Sequence, residues 1–170
     1  MADIWFTADN HFGHTNIIDH CNRPWKTAHL MDIAMIEIWN QYVKPQDTIY
    51  IIGDFMWDSH YEIVMKFQKK LHGNKMFIKG NHDHWFKKEK RYFHHKRIDK
   101  IHIWMCHYPL RTWPKGINLH GHCHGNLPDP LPNQFDVGVD TSPEYRPYNW
   151  EEIKQKINWE EKDNVKKNRW

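Results

Sequence analysis

The segment Thr48-Ile49-Tyr50-Ile51-Ile52-Gly53-Asp54 joins a run of β-branched and aromatic residues to a glycine and an aspartate. Such a run predicts a buried strand. The glycine predicts a sharp turn where the strand ends, because glycine accepts backbone angles that other residues avoid. The aspartate then stands at the carboxyl end of a strand, which is where open α/β sheets bind their ligands. This segment therefore indicates an α/β protein with a polar site at a sheet edge.

The same arrangement recurs along the chain. Apolar runs at 4–8, 76–78, 101–105 and 117–119 predict strands, and each leads into a polar block. Carboxylate, amide and imidazole groups delivered from several strand ends are typical of a hydrolytic site with two divalent metals. The polar blocks are, in chain order, Asp9-Asn10-His11, Gly80-Asn81-His82-Asp83, His107 and Gly121-His122-Cys123-His124.

Helices are predicted between these strands. Apolar residues at helical spacing predict one over 28–43, and Ser59 with Glu62 forms a capping box for the next. A late strand is expected over 135–139, followed by a helix that Asn149 and Glu152 would cap. The expected apolar stripes are Met31, Met35, Ile38 and Tyr42 in the first helix, Ile63, Phe67 and Leu71 in the second, and Ile153 and Ile157 in the last.

Composition favours one globular domain over 1–170, with a charged tail over 158–170 that we expect to fray. The 170 residues have a hydrophobic content of 39% and a mean hydropathy of −0.90, and no apolar run could span a bilayer. The acidic Asp3 stands where a signal peptide needs a basic residue, so we expect a soluble, cytoplasmic protein without a membrane partner. Three cysteines without a CxxC pair argue against a disulfide framework or a thiolate zinc site.

The ordered blocks from Asp9 to His124 resemble those of the calcineurin-like metallophosphoesterases. The stretch 7–18 looks like a small bacterial and phage subgroup of that family. The resemblance implies an α/β/β/α sandwich of two sheets, with a dimetal site at the carboxyl ends of the strands. The Asp-Arg-Gly continuation of the protein phosphatase branch does not follow Gly53-Asp54 here, which argues against a phosphoprotein substrate.

The resemblance also assigns roles to individual residues. Asp54 would bridge two divalent ions, with Mn²⁺ expected first and Fe, Zn or Ni also suited to oxygen and nitrogen ligands. Asp9 and His11 are two apart, so on a regular strand both would face one side. His82 would be the general acid, oriented by either Asp54 or Asp83. The implied ligands are Asp9, His11, Asp54 and His124 for the first metal, and Asp54, Asn81, His107 and His122 for the second.

Several residues near the blocks are candidates for substrate contact. Arg111, His14 and Asn81 are the first of these. For Arg23, a surface or capping role is favoured over substrate contact. Trp57, Trp85 and Trp113 could stack on a nucleobase, although packing is the favoured role for each, as it is for Trp5, Trp39 and Trp104. Seven Lys and Arg residues lie within 84–100 against Glu89 and Asp99. This run could steer a polyanion or be a solvated helix face.

The favoured function is hydrolysis of a phosphoester by a metal-bridging hydroxide, with His82 as general acid. A phosphodiester, in a nucleotide or nucleic acid, is slightly preferred as substrate. One alternative is a phosphomonoesterase acting on a small metabolite. The other is a metal-binding but catalytically silent scaffold or nucleic-acid-binding module, which the presence of every ligand and of His82 opposes. The oligomeric state stays open.

Overall fold

The computed structural model describes residues 2–86 and 91–156, and these residues form two four-stranded sheets. The strands are β1 (Ile4–Thr7), β2 (Thr48–Ile52), β3 (Asn74–Ile78), β4 (Phe93–Ile98), β5 (Ile101–Cys106), β6 (Ile117–His120), β7 (Gln134–Asp136) and β8 (Tyr148–Asn149). The α-helices are α1 (Asn16–His20), α2 (Ala28–Tyr42), α3 (Tyr61–Phe67) and α4 (Trp150–Lys156). No helix of the described residues is long and apolar enough to cross a membrane.

The sheets have the orders β3-β2-β1-β8 and β4-β5-β6-β7. Strands β1, β2 and β3 run parallel, as do β5, β6 and β7, while β8 and β4 join their edges antiparallel. The polar blocks follow the carboxyl ends of five of these parallel strands, β1, β2, β3, β5 and β6. The predicted α/β class and two-sheet sandwich are therefore confirmed.

Alternating side chains place the core in two layers. From β1, Phe6 faces the second sheet and packs in one buried cluster with Ile103 and Leu119. Its neighbour Trp5 faces the other way and packs in the cluster with Met35 and Trp39 of α2. Helices α2 and α3 cover the outer side of the first sheet, whereas α4 contributes Trp150 and Ile153 to the cluster between the sheets.

The predicted helix over 28–43 is confirmed as α2, and Thr27 caps it by accepting a hydrogen bond from the amide of Leu30 (3.2 Å). The cap of α4 is also confirmed. Asn149 Oδ1 accepts from the amide of Glu151 (2.9 Å), and Glu152 accepts from the amide of Asn149 (3.1 Å). Ile157 and the predicted tail over 158–170 lie outside the described residues.

The capping box at Ser59 was wrong. Helix α3 begins after His60, and no side chain caps it. Asp58 accepts hydrogen bonds from the backbone and the ring of His60, so the entry turn is organised one residue before Ser59. Val64, rather than Ile63, is the buried residue of the first turns, and Ile63 is 47% exposed.

The helix face considered for the basic run was also wrong, because residues 93–98 form the edge strand β4. Asp99 and Lys100 both have positive φ (48° and 66°), which closes a two-residue hairpin of the type that pairs neighbouring antiparallel strands. Residues 87–90 lie outside the described residues.

The late strand is shorter than predicted. It ends at Asp136, and Val139 begins a 3₁₀ turn (Val139–Thr141), because Asp136 Oδ1 accepts from the amide of Gly138 (2.8 Å) and bends the chain.

Candidate metal centre

The first polar block leaves strand geometry before it reaches the site. Strand β1 ends at Thr7, and Asp9 and His11 have φ values of 55° and 52°. The expectation that a regular strand would put both on one face was therefore wrong in its reason. Two left-handed residues in alternation nevertheless deliver both side chains to one place. Ligand-type atoms of Asp9, His11 and His124 all lie within 4.8 Å of one another.

Asp54 stands between this group and a second one. Its Oδ2 lies 3.6 Å from His11 Nε2 and 3.2 Å from His107 Nε2. Ligand-type atoms of Asp9, Asp54 and His107 also fall within 4.8 Å of one another. One carboxylate oxygen thus faces imidazoles from both groups, which is the arrangement that a bridging ligand requires.

The second group is completed by the amide of Asn81. Its Oδ1 accepts hydrogen bonds from His107 Nε2 (3.0 Å) and His122 Nδ1 (3.1 Å). His107 donates through Nδ1 to the carbonyl of Ile52 (2.9 Å), so its Nε2 is directed toward the cluster. A hydrogen bond on the far ring nitrogen is how proteins orient a metal-binding imidazole.

The donor set fits divalent cations. His11 Nε2 is buried and has no hydrogen-bond partner. A buried polar atom left unpaired costs about 1–3 kcal/mol, which a bound cation would offset. Carboxylate, amide oxygen and imidazole suit manganese, iron, zinc or nickel.

The charges of the cluster are strongly coupled. Burial lowers the pKa of His11 to about 2, so this ring is neutral. Burial raises the pKa of Asp9 to about 7. Burial would also raise the pKa of Asp54, but its hydrogen bond with His107 and the charge of that ring outweigh this and hold it at about 2. Burial would lower the pKa of His107, yet the same hydrogen bond to Asp54 raises it to about 9.

Glycines before the ligands allow the close approach. A Cβ on Gly80 would lie 2.1 Å from Asp54 Oδ1 and 2.4 Å from its amide nitrogen. Gly53 has a φ of 87°, and a Cβ there would lie 2.3 Å from His107 Nδ1. Any larger residue would push the strand ends apart, as the sequence predicted.

The match to a known family covers nearly the whole chain. The family model for calcineurin-like phosphoesterases matches residues 2–170. The chain belongs to this family. Among its relatives, the uncharacterized protein MJ1445 of Methanocaldococcus jannaschii is 30% identical over 136 residues, which covers 78% of this chain and 75% of the relative. The gene 66 protein of Mycobacterium phage D29 is 26% identical over 152 residues, covering 88% and 72%.

A solved structure supports the same fold. The crystal structure of AQ665 from Aquifex aeolicus, a protein of unknown function, superposes with a TM-score of 0.70 at 23% identity. The superposition covers 92% of this chain and all of that one. At this identity the likeness concerns the architecture of the phosphoesterase sandwich alone.

The sequence did not predict the hydrogen bonds of Asp140 and Arg23 that support the candidate metal-binding cluster. Asp140 Oδ2 accepts from His124 Nδ1 (2.6 Å) and from Arg23 Nη2 (2.8 Å), and Arg23 Nε donates to the other oxygen (2.8 Å). Arg23 also donates to the backbone carbonyls of Asp9 (2.7 Å) and Asn10 (2.9 Å). It is 4% exposed, so its role is structural rather than substrate contact.

The hydrogen bond between Asp140 and His124 also shifts the pKa of the histidine. Burial would lower the pKa of His124, but its hydrogen bond to Asp140 raises it to about 10. The position of Asp140 just beyond a predicted strand was a usable signal, because the same rule identified Asp54. Nothing in the sequence pointed to Arg23 as its partner.

His82 is held by its backbone. Its amide donates to Asp54 Oδ1 (2.8 Å), and its ring centroid lies 5.3 Å from that of His11. The alternative in which Asp83 orients the His82 ring was wrong. Both Asp83 oxygens are taken, by the amides of Gly80, Asp54 and Phe55 and by Trp85 Nε1.

The candidate substrate residues differ in how close they lie to the cluster. His14 lies beside the cluster, with Nδ1 3.3 Å from His11 Nδ1, and its ring stacks on Trp57 at 3.8 Å. Trp57 is 46% exposed and packs on His14 at the rim of the site, whereas Trp85 is 1% exposed and packs in the core, so the favoured packing role is confirmed for both. Arg111 is exposed, and none of the contacts among the described residues joins it to the cluster.

Proposed function

We propose that this chain is a dinuclear-metal-dependent phosphoesterase that prefers phosphodiesters. One observation carries the proposal: a single carboxylate oxygen of Asp54 faces the ring nitrogens of both His11 and His107. That is the placement expected of a residue that joins two metal sites. Family membership implies a phosphoester as the substrate class.

The proposed ligands follow the two groups of donors. Asp9, His11, His124 and Asp54 would hold one cation, and Asn81, His107, His122 and Asp54 the other. Two such cations would acidify a water molecule and neutralise the charge that gathers on the phosphoryl oxygens. Asn81 would also lie close to the bound phosphoryl group.

We assign proton donation to His82. Its backbone is tied to Asp54 Oδ1, which keeps the residue next to the cluster while its ring stays partly exposed. A protonated imidazole there would give its proton to the leaving oxygen. His14, beside His11, is the proposed contact for a phosphoryl oxygen or for the leaving group, whereas the exposed Arg111 would reach substrate only beyond the cluster.

The preference for a diester with an aromatic group, such as a nucleotide, is supported by two exposed rings at the rim. Trp57 is 46% exposed, and its ring lies 5.0 Å from that of His82. Tyr108 is also 46% exposed, and its ring lies 4.6 Å from that of His122. A nucleobase linked to the scissile phosphate could stack on either ring.

The test compares hydrolysis of bis-p-nitrophenyl phosphate and p-nitrophenyl phosphate by metal-stripped protein supplied with Mn²⁺. We expect faster turnover of the diester and loss of both activities in Asp54→Asn. Asp129→Asn, at an exposed carboxylate, is the matched control. Faster monoester turnover would replace the proposal with a phosphomonoesterase. No turnover of either compound with two metals bound would favour a silent metal-binding module.

A further inference from the structure

The outward side of the β4–β5 hairpin carries a cluster of rings that the metal centre does not use. We call it the outer hairpin face, and it consists of Phe93, His95, Arg97, His102 and Trp104. In the register, Phe93 pairs with Cys106, His95 with Trp104 and Arg97 with His102, so these side chains share one side of the sheet. The alternate residues Ile101, Ile103 and Met105 are buried on the other side.

The rings of this face stack on one another. His95 lies on Trp104 at 4.1 Å between centroids and 22° between planes, and on His102 at 5.1 Å and 10°. Phe93, 46% exposed, lies 5.5 Å from Trp104. Trp104 Nε1 donates to the carbonyl of Lys115 (2.6 Å), which fixes the plane of the indole. Trp104 packs against other rings, as expected from the sequence, but it does so half-buried on the outer side of the sheet and not in the core.

The face is cationic. Arg97 lies on it, held by a hydrogen bond from Nε to the carbonyl of Lys100 (3.3 Å), and Lys115 borders it. Asp99 is the sole carboxylate within residues 91–106, all of which the structure describes. It sits at the hairpin turn, bound to Lys154 Nζ (2.9 Å) and Trp150 Nε1 (2.8 Å). Nothing negative within the hairpin therefore offsets Arg97 on this side.

The face leads to the metal centre. Strand β5 runs directly into His107, and Phe93 pairs with Cys106, the residue before it. At about 3.3 Å per residue, Trp104 lies about 10 Å along the strand from His107 and His102 about 17 Å. Tyr108, which directly follows His107, is exposed beside His122.

We propose that the outer hairpin face binds single-stranded nucleic acid and guides it toward the metal centre. Unpaired bases would stack on Trp104 and Phe93, and phosphates would contact Arg97 and Lys115. A second copy of the chain is a poor occupant, because a symmetric contact would bring the same cations together. The guiding role rests on the proposed phosphodiesterase function, whereas binding does not.

The experiment is fluorescence anisotropy of a short labelled oligothymidylate with the full chain in EDTA, so that binding is measured without hydrolysis. We expect Trp104→Ala to weaken binding about tenfold through the lost stacking. Arg97→Gln should lower the salt dependence of the affinity by about one charge. The matched controls are Tyr61→Ala, a 52% exposed ring, and Lys66→Gln, an exposed cation, both on α3.

Phe93→Ser is the second ring variant, because Phe93 is exposed on an edge strand and its loss leaves the core intact. Unchanged affinity in Phe93→Ser and in folded Trp104→Ala would overturn the proposal. So would equal affinity for a duplex of the same length, since paired bases cannot stack on the face. A wild-type dimer that Trp104→Ala converts to a monomer, with oligonucleotide affinity unchanged, would identify a copy interface and overturn it as well.

The two proposals fail separately. Oligonucleotide binding that depends on Trp104, in a protein that hydrolyses neither nitrophenyl ester with Mn²⁺, would support the nucleic-acid surface and contradict the proposed phosphoesterase. Hydrolysis of bis-p-nitrophenyl phosphate by a protein that binds no oligonucleotide would contradict the surface alone.

Discussion

At the scale of single residues, His82 tests the division between ligands and proton donor. In His82→Ala we expect hydrolysis to slow by about 10²–10⁴-fold while both metals stay bound, because general acid catalysis contributes that much and the ring is not among the proposed ligands. The loss should be smaller for a p-nitrophenyl diester than for a diester with an alkyl leaving group, since a good leaving group needs little protonation. Rates on the two substrates and the metal content after dialysis are the measurements.

His84→Ala is the control, because His84 is exposed and lies two residues further along the same loop. It should leave the rates and the metal content as in the unaltered protein. If His82→Ala instead lost a metal, His82 would be a ligand. An equal loss on both leaving groups would argue against proton donation.

Asp140 supports the site through another residue. It bonds Nδ1 of His124, a ring that is grouped with Asp9 and His11, and so fixes the orientation of that ring. Such supporting carboxylates are worth about 10–100-fold in metal affinity, so Asp140→Asn should weaken Mn²⁺ binding by about that factor. Titration calorimetry measures it, with Asp19→Asn, an exposed carboxylate on α1, as control. Unchanged affinity with lowered thermal stability would show that Asp140 serves only to pair with Arg23.

At the scale of elements, the turns after the strands need glycine for two reasons, steric crowding by neighbouring atoms and a left-handed backbone. Substitutions at Gly80 and Gly13 distinguish these two reasons. A Cβ on Gly80 would collide with Asp54, whereas one on Gly13 meets open space but the residue has a φ of 76°. Gly80→Ala should therefore displace Asp54, lose metal binding and destabilise the fold by about 1–3 kcal/mol. Gly13→Ala should cost about 1–2 kcal/mol from its left-handed backbone, with metal binding kept.

Denaturant unfolding in EDTA and Mn²⁺ titration of both variants decide this comparison. Equal metal affinity in the two variants would show that the crowding at Gly80 relaxes without moving Asp54.

The elements also show what a sequence can predict. Strands β1, β2, β3, β5 and β6 were recognised because each is an apolar run that ends in a polar block. Strand β4 was not, since it buries little besides Ile98 and is defined by its pairing with β5. The convergence of Asp9, Asp54 and His107 followed from the strand ends and the family resemblance. The hydrogen bond from Arg23 to Asp140 joins residues 117 positions apart, and no local sequence pattern predicts such a pairing.

At the scale of the whole molecule, the strand ends of both sheets bring together groups whose protonation opposes metal binding. Without metal, the pKa values of His107 and His124 lie near 9 and 10, so both rings carry a proton at pH 7 that a cation must displace. Asp9, with a pKa near 7, adds to this, while His11 is already neutral. Binding should therefore release about two to three protons at neutral pH, and the apparent Mn²⁺ affinity should rise as the pH increases from 6 to 8.

Calorimetry in buffers of different ionisation enthalpy counts those protons. His107→Gln should release about one proton fewer, because one of the two raised pKa values is gone. The affinity rises with pH because both imidazoles are protonated below their raised pKa values. As the pH approaches those values, fewer protons compete with the metal for the ring nitrogens. Affinity that falls with rising pH, or binding without proton release, would mean that Mn²⁺ does not take the nitrogens of His107 and His124. The cluster of Asp9, Asp54 and Asn81 oxygens alone would then have to hold the metals, and the proposed ligand set would be wrong.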